Sequence, residues 1–258
     1  MSLKRLSGED HYDARSKKTR WAQIKETWSR LQNKAVLTRT CSFTVSDDII
    51  TVTVGKEQLR HLIHESVLWK CPFFDKCLHS GMREQEEKAV ILPEDDPEDF
   101  AIIVKWLYAE KIPDDIDWHR IIPAYNAASK FCMPELQNAL VDALRSQMED
   151  WCLTPEWVSH IWTRTEEGSQ LRELVLDTFY YDISKKPSRY NEHNMEHQAE
   201  ADGPKYAAQM EKCMTNAELG LALLWRFADP AFRPKAKPCT MKGCVYHVHE
   251  NEKKCSRP

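Results

Sequence analysis

The stretch that decides the fold is AVILPEDDPEDFAIIVKWLY, residues 89–108. Its first four residues are an apolar run that stops at Pro93, which predicts a short buried strand. Asp95 or Asp96 can cap a following helix, because an Asp side chain accepts hydrogen bonds from the free N–H groups of a first turn. Pro97 suits that turn, since its missing N–H has no partner to lose there. Apolar residues then recur at helical spacing at Phe100, Ile103, Val104, Leu107 and Tyr108.

Upstream of this stretch, the β-branched run IITVTV at residues 49–54 predicts a strand that ends in a turn at Gly55. The next apolar residues are spaced like one face of a helix, at Leu59, Leu62, Ile63 and Val67. Downstream, Pro72 and Pro134 each suit the first turn of a further helix, and Pro123 predicts a kink or a helix start. We therefore predict an α+β core, a small sheet flanked by helices, followed by an α-helical extension.

Shifts in composition divide the chain further. Residues 1–40 carry ten Lys or Arg against four Asp or Glu, which is +6, and few apolar side chains, so we expect a largely disordered basic arm with one short helix near Trp21. The other predicted parts are an α+β domain (41–150), a helical pair (151–182), a polar linker (183–203), a helical segment (204–235) and a Cys/His tail (236–258).

Composition also excludes several classes of function. The formal net charge is −4, whereas a chain that binds nucleic acid over its whole length would be strongly basic. The seven glycines lack the spacing of a phosphate-binding loop, and apolar runs are too short to cross a bilayer. The N-terminal stretch has no apolar core of a secretory signal, so we expect an intracellular protein with no membrane partner, whose cysteines are thiols or metal ligands.

Four ordered segments resemble the BTB/POZ domain, in the divergent form common in fungal proteins. They are HESVL with CPFF (64–68, 71–74), LPEDDPEDF (92–100), KWLY (105–108) and FCMPELQN (131–138). The resemblance implies a protein–protein interaction module that dimerises and acts as a scaffold, and it implies no enzyme. The family's usual dimer surface corresponds here to Ile49, Leu59 and Leu62.

A second function implied by the resemblance is that of a substrate adaptor for a cullin-type ubiquitin ligase. Met82-Arg83-Glu84 resembles the hydrophobic-x-Glu tripeptide that BTB adaptors present to a cullin scaffold. The alternative is that Glu84 belongs to a solvated acidic run with Glu86 and Glu87. Residues 84–117 as a whole hold twelve acidic and three basic side chains, a net charge of −9, which argues against nucleic acid as a partner of this surface.

Two clusters of reactive side chains need separate interpretations. His61 and His64 lie near Cys71 and Cys77, but we interpret the histidines as packing and hydrogen-bonding residues and assign no catalytic role. The tail pattern predicts a zinc site, because four nitrogen or sulfur ligands satisfy Zn²⁺. Its five candidate ligands are Cys239, Cys244, His247, His249 and Cys255.

The alternative for the tail is free thiols, with the histidines packed on the helical region. A zinc tail would suit a third function, a nuclear factor. Two basic clusters resemble a two-part nuclear-import signal, which favours the nucleus over the cytoplasm, although the arm can equally be a solubilising segment. The clusters consist of Lys4, Arg5, Lys17, Lys18 and Arg20.

Overall fold

The computed structural model describes residues 47–81, 83–150, 152–190, 209–211 and 213–249. The basic arm, its helix near Trp21 and the import clusters lie outside the described residues. Across the described ranges, no helix has both the length and the apolar character needed to cross a membrane.

A three-stranded sheet begins the described chain. Strand β1 (Ile49–Val54) pairs antiparallel with β2 (Leu59–His64) and parallel with β3 (Ala89–Leu92), so the strand order is β2-β1-β3. Gly55 makes the turn after β1 with a φ of +74°, and a Cβ there would lie 3.0 Å from Pro97 Cγ. Only glycine suits both the positive φ and this close approach. The predicted strands at 49–54 and 89–92 are therefore present.

The helix predicted through Leu59 and Ile63 is wrong over residues 59–64, which form β2. Helix α1 (Glu65–Leu68) starts only after this strand. The turn at residues 55–58 folds the chain back, so that all six β2 residues pair with β1. Apolar residues three and four positions apart do not by themselves distinguish a helix from a strand that is buried on one face. Pairing with β1 therefore decides the conformation of residues 59–64.

The core forms between the inner side of the sheet and four helices, α2 (Pro72–His79), α4 (Pro97–Ala109), α5 (Trp118–Lys130) and α6 (Pro134–Met148). The short helix α3 (Arg83–Glu87) buries no residue. Pro123 lies inside α5 rather than at a helix start. The core meets at three fully buried phenyl rings, since Phe74 lies 5.5 Å from Phe131 and 6.1 Å from Phe100 between ring centroids. The predicted α+β fold is confirmed.

The turn into α4 gathers several carboxylates. Asp96 caps the helix, since its Oδ1 accepts hydrogen bonds from the backbone N–H of Glu98 and Asp99 at 2.8 and 3.2 Å. Asp99 is buried, and its Oδ1 has no hydrogen-bond partner, although Arg120 Nη1 lies 3.5 Å away. Burial, reinforced by the charges of Asp96 and Asp95, raises the pKa of Asp99 to about 6.

Helices α7 (Pro155–Arg164) and α8 (Gln170–Lys185) follow the core, with a 3-10 turn at Pro187–Tyr190. Helix α9 (Ala217–Ala228) then packs on α8. Two arginines join this pair of helices. Arg172 Nη1 on α8 lies 2.7 Å from Glu218 Oε1, and Arg226 Nε on α9 lies 2.6 Å from Asp177 Oδ1. These ion pairs fix α9 although it buries only Leu219 and Leu223.

Residues 237–248, the C-terminal segment, run back over α6 and α8. Asn138 of α6 donates to the carbonyl of Val248 at 3.0 Å and accepts from its N–H at 2.7 Å. Tyr246 donates to Asp177 Oδ2 of α8 at 3.0 Å, and Lys237 Nζ donates to the Met148 carbonyl at 2.6 Å. The segment therefore ties the last helix of the core to the helical extension.

Replacing Asn138 with Ala tests this attachment. Asn138→Ala removes both hydrogen bonds to Val248 and leaves two partly buried backbone groups without partners, so we expect the free energy of unfolding to fall by about 1–3 kcal/mol. Denaturant unfolding measures it. Ser146→Ala is the control, because Ser146 is an exposed residue of α6 whose hydroxyl bonds only to its own helix. Equal midpoints for the two variants would contradict the attachment.

The buried carboxyl of Asp99 leads to a second prediction, which concerns how the stability of the fold depends on pH. Asp99 binds a proton more tightly in the folded state than in the unfolded chain, where an Asp carboxyl titrates near 4. The resulting stabilisation is full below pH of about 4 and is lost as pH rises through about 6. Because Asn carries no charge, Asp99→Asn should gain stability relative to the wild type over this window, reaching about 1–3 kcal/mol at pH 7.5.

Urea unfolding at pH 4, 5.5 and 7.5 measures this difference for Asp99→Asn. Asp114→Asn, at an exposed position, serves as the control and should show no such trend. A stability difference for Asp99→Asn that stays constant across the three pH values would show that the carboxyl is not perturbed.

Candidate interaction surface

The outer side of the sheet exposes large apolar side chains. The inner-facing residues Ile50, Val52 and Val54 of β1 are buried, whereas Ile49 on the opposite face is 46% exposed. On the same outer face, Leu62 of β2 is 68% exposed and Ile91 of β3 is 70% exposed. Each of the three strands therefore contributes one aliphatic side chain to a surface open to solvent.

The strand register makes these side chains neighbours. Thr51 pairs with Leu62 on one side and with Ala89 on the other, and Thr53 pairs with Ile91. Ile49 precedes Thr51 by two positions, so it lies on the same face. The outer face is accordingly defined by Ile49, Thr51, Thr53, Arg60, Leu62, His64, Ala89 and Ile91, since Arg60 pairs with Thr53 and His64 with Ile49.

Of the three residues predicted for a dimer surface, the structure brings Ile49 and Leu62 together. Leu59 pairs with Val54 and therefore lies on the other side of the sheet, where it is half-exposed at the start of β2. The sequence did not indicate Ile91, because the run AVIL predicts only a short buried strand and no exposed face. Successive residues of that run lie on opposite faces of the sheet, and the outer face is exposed, which places Ile91 on the exposed side.

A comparison with known protein families identifies the domain that residues 42–148 form. Residues 42–148 match the model of the BTB/POZ domain, which takes in every element from β1 to α6. The chain contains a BTB/POZ domain. Domains of this family are protein–protein interaction modules, so the chain has protein partners. No curated protein matches the chain.

Within the BTB/POZ domain, the histidines and cysteines near β2 have structural environments. The ring of His61 contacts Phe100 edge to face at 5.1 Å between centroids, and burial lowers its pKa. His64 Nδ1 lies 2.7 Å from the Tyr108 hydroxyl. Burial raises the pKa of the Cys71 thiol to about 11, so this thiol stays protonated at neutral pH. Such a thiol is a poor nucleophile.

The tripeptide that resembles a cullin contact lies between α2 and β3 of the BTB/POZ domain. Met82 lies outside the described residues, while Glu84 is half-exposed in the first turn of α3. The rest of α3 is exposed, and Arg83 pairs with Glu87 along it. Glu84 is therefore presented at the surface beside a short solvated helix.

Two of the four candidate zinc ligands within the described residues, Cys239 and His247, contact α6. Cys239 is buried with its Sγ 3.5 Å from the carbonyl of Met148, and His247 Nε2 lies 3.0 Å from Asp142 Oδ1. Cys244 and His249 are partly exposed, and Cys255 lies outside the described residues. Across the parts of the chain that the structure describes, no three His, Cys, Asp or Glu side chains are grouped to hold a metal. The zinc site stays a prediction.

Proposed function

We propose that this chain is a scaffold that dimerises through the outer face of its BTB/POZ sheet. The observation that supports the proposal is the exposure of one aliphatic side chain from each strand, at Ile49, Leu62 and Ile91, on a single face. Arg60, opposite Thr53, is the charged residue of this face, while the central pair of Thr51 and Leu62 is uncharged. Interfaces combine a core depleted of charge with a polar rim, so this arrangement suits a surface that is covered by another protein.

A two-fold dimer uses each of these side chains twice, because both protomers present the same patch. Fully burying a Val, Leu or Ile side chain gains roughly 1.5–3 kcal/mol. With their present exposure, the six aliphatic side chains of such a dimer would gain on the order of 5–10 kcal/mol. Association costs about 4–15 kcal/mol, and a micromolar dimer needs a net gain of about 8 kcal/mol, so the remaining contacts of the interface must add to the contribution of these side chains.

Replacing Leu62 with Glu tests the dimer. Light scattering of the wild type at micromolar concentration should give about twice the 30.2 kDa mass of one chain. Leu62→Glu should give a mass near one chain, because each protomer would then bury a carboxylate against its partner. A wild-type mass of one chain at the same concentration would refute the proposal.

Leu224→Glu is the matched control for this experiment. Leu224 is 60% exposed, close to the value for Leu62, but it lies on α9 outside the sheet. Its variant should keep the mass of a dimer. Circular dichroism establishes that both variants fold. If both variants lost the dimer equally, the loss would be an effect of added surface charge and not of the outer face of the sheet.

A second candidate function is that of a cullin-ligase adaptor. It is favoured by the half-exposed position of Glu84 between α2 and β3 and by the helices α7 and α8, which directly follow the BTB/POZ domain and can widen an interface. The helical extension would then select the target. This function and dimerisation use different residues, so one chain can have both.

Reversing one charge tests the adaptor. Full-length wild-type protein should co-purify with a cullin scaffold, and Glu84→Lys should abolish this because it replaces the acidic contact with a repulsive one. Glu86→Lys changes an exposed position of the same helix and should retain binding. Absence of cullin from the wild-type purification, or equal loss with both variants, would exclude the adaptor function.

A further inference from the structure

Helix α9 is apolar on two opposite sides. Its inner side is buried at Leu219 and Leu223, where the helix packs on α8. On its outer side Leu221, Leu224 and Trp225 are 52%, 60% and 62% exposed. These three residues follow one another at i, i+3 and i+4, so they form one continuous stripe, the α9 stripe.

Small residues surround the α9 stripe. Ala217 and Ala228 lie four positions before Leu221 and after Leu224, so they extend the stripe by a turn at each end. Gly220 lies beside it and has no side chain to hold a neighbouring backbone away. An elongated apolar ridge with small neighbours fits a second helix, whose side chains can pack into the grooves between its residues.

The α9 stripe carries no charge of its own. The charged residues of the helix are Glu218 and Arg226, and both pair with α8, through Arg172 and Asp177 respectively. Glu218 borders the stripe, and Arg226 lies on the opposite side of the helix. A helix that is apolar nearly all round is normally buried, and interface cores are depleted of charge. The exposed stripe therefore has the composition of a surface that another molecule covers.

Acidic side chains lie at both ends of the α9 stripe. Glu218 is in the first turn of the helix, and its side chain is half-exposed although it pairs with Arg172. Asp229 is exposed at the position directly after the helix, and it forms no ion pair with another described residue. A carboxylate at this end is unfavourable, because the C-terminus of a helix carries partial negative charge. A cation supplied by a partner would compensate for it.

We propose that the α9 stripe binds an amphipathic helix of a partner protein, which carries Lys or Arg beside its own apolar stripe. Its apolar side chains would cover Leu221, Leu224 and Trp225, in the way that amphipathic helices use anchors at i, i+3, i+4 and i+7. Its cations would pair with Glu218 and Asp229. Trp225 would be the main anchor, because tryptophan is enriched among the residues that dominate binding energy.

The same acidic side chains argue against two other occupants. If two copies of the chain paired their α9 helices antiparallel, Glu218 of one copy would face Asp229 of the other, and a parallel pair would align each carboxylate with its counterpart. Both arrangements bring like charges together. An anionic membrane would also be repelled, since helices that lie on such membranes are rich in Lys and Arg on their polar face.

A synthetic helix tests the surface on the full chain. The probe is a fluorescein-labelled peptide of leucine, alanine and lysine, about 18 residues long, with its leucines in one helical stripe and its lysines beside them. The comparison peptide has the same composition in an order that breaks the stripe, so the two peptides have equal charge. Fluorescence polarisation should show saturable binding of the striped peptide and none of the comparison peptide. Absence of binding by the striped peptide would overturn the proposal.

Leu224→Glu places a carboxylate within the α9 stripe and should weaken binding of the striped peptide about ten-fold or more. Leu62→Glu is the matched control, because Leu62 is similarly exposed but lies on the outer face of the sheet. It should bind the peptide like the wild type. The dimer responds to these two variants in the opposite order, so failure of either proposal can be told apart from failure of the other.

Asp229→Asn tests the contribution of charge. Asparagine keeps the oxygen that accepts a hydrogen bond from the Ala231 N–H, and the substitution removes only the negative charge. It should weaken binding about two- to five-fold, the size expected for an exposed ion pair. Asp114→Asn, at an exposed position before α5, should leave the affinity unchanged.

Several results would assign the α9 stripe to something else and overturn the proposal. Equal loss of binding in Leu62→Glu and Leu224→Glu, or equal binding of both peptides, would show only a general attraction between charges. A mass above that of a dimer, abolished by Leu224→Glu, would identify a second copy as the occupant. Sedimentation with vesicles of phosphatidylcholine and phosphatidylserine, lost in Leu224→Glu, would identify a membrane.

Discussion

The packing of three phenyl rings holds the BTB/POZ domain together. Phe74 of α2, Phe100 of α4 and Phe131 at the end of α5 form a triangle of buried rings. Edge-to-face and stacked pairs of this kind add roughly 0.5–1.5 kcal/mol each to the gain from burying the rings. His61 of β2 contacts Phe100, so the same cluster reaches the sheet. Two helices, the end of a third and one strand are thereby fixed relative to one another.

This cluster explains why the two sides of the sheet differ. The inner residues Ile50, Val52 and Ile63 pack toward the helices and are fully buried. The outer face has no described helix over it and displays Ile49, Leu62 and Ile91 to solvent. A rigid base is what allows such a face to serve in recognition, because little conformational freedom is lost when a preorganised surface binds. The buried core and the exposed apolar face are thus two sides of one three-stranded sheet.

The sequence predicted the elements whose signals are local. The strand at 49–54, the strand at 89–92 and the helix from Pro97 follow from β-branched runs, an Asp cap and a first-turn proline, and each is present. Residues 59–64 were misassigned because their conformation depends on pairing with β1, and helical spacing of apolar residues carries no information about a partner strand. For the same reason the outer face was predicted only in part. The position of Ile91 beside Thr53 is set by the strand register, which the spacing of apolar residues does not give.

The C-terminal segment shows a related limit and has a consequence for biosynthesis. Its cysteines and histidines suggested a metal site, whereas Cys239 and His247 contact α6, a relation that no local pattern encodes. The bond between Asn138 and Val248 joins residues 110 positions apart. A growing chain emerges from the ribosome N-terminus first, so the BTB/POZ domain can fold before this segment exists. The helical extension gains its last support only when translation has passed residue 248, because the hydrogen bond from Tyr246 to Asp177 of α8 forms after the domain before it has been made.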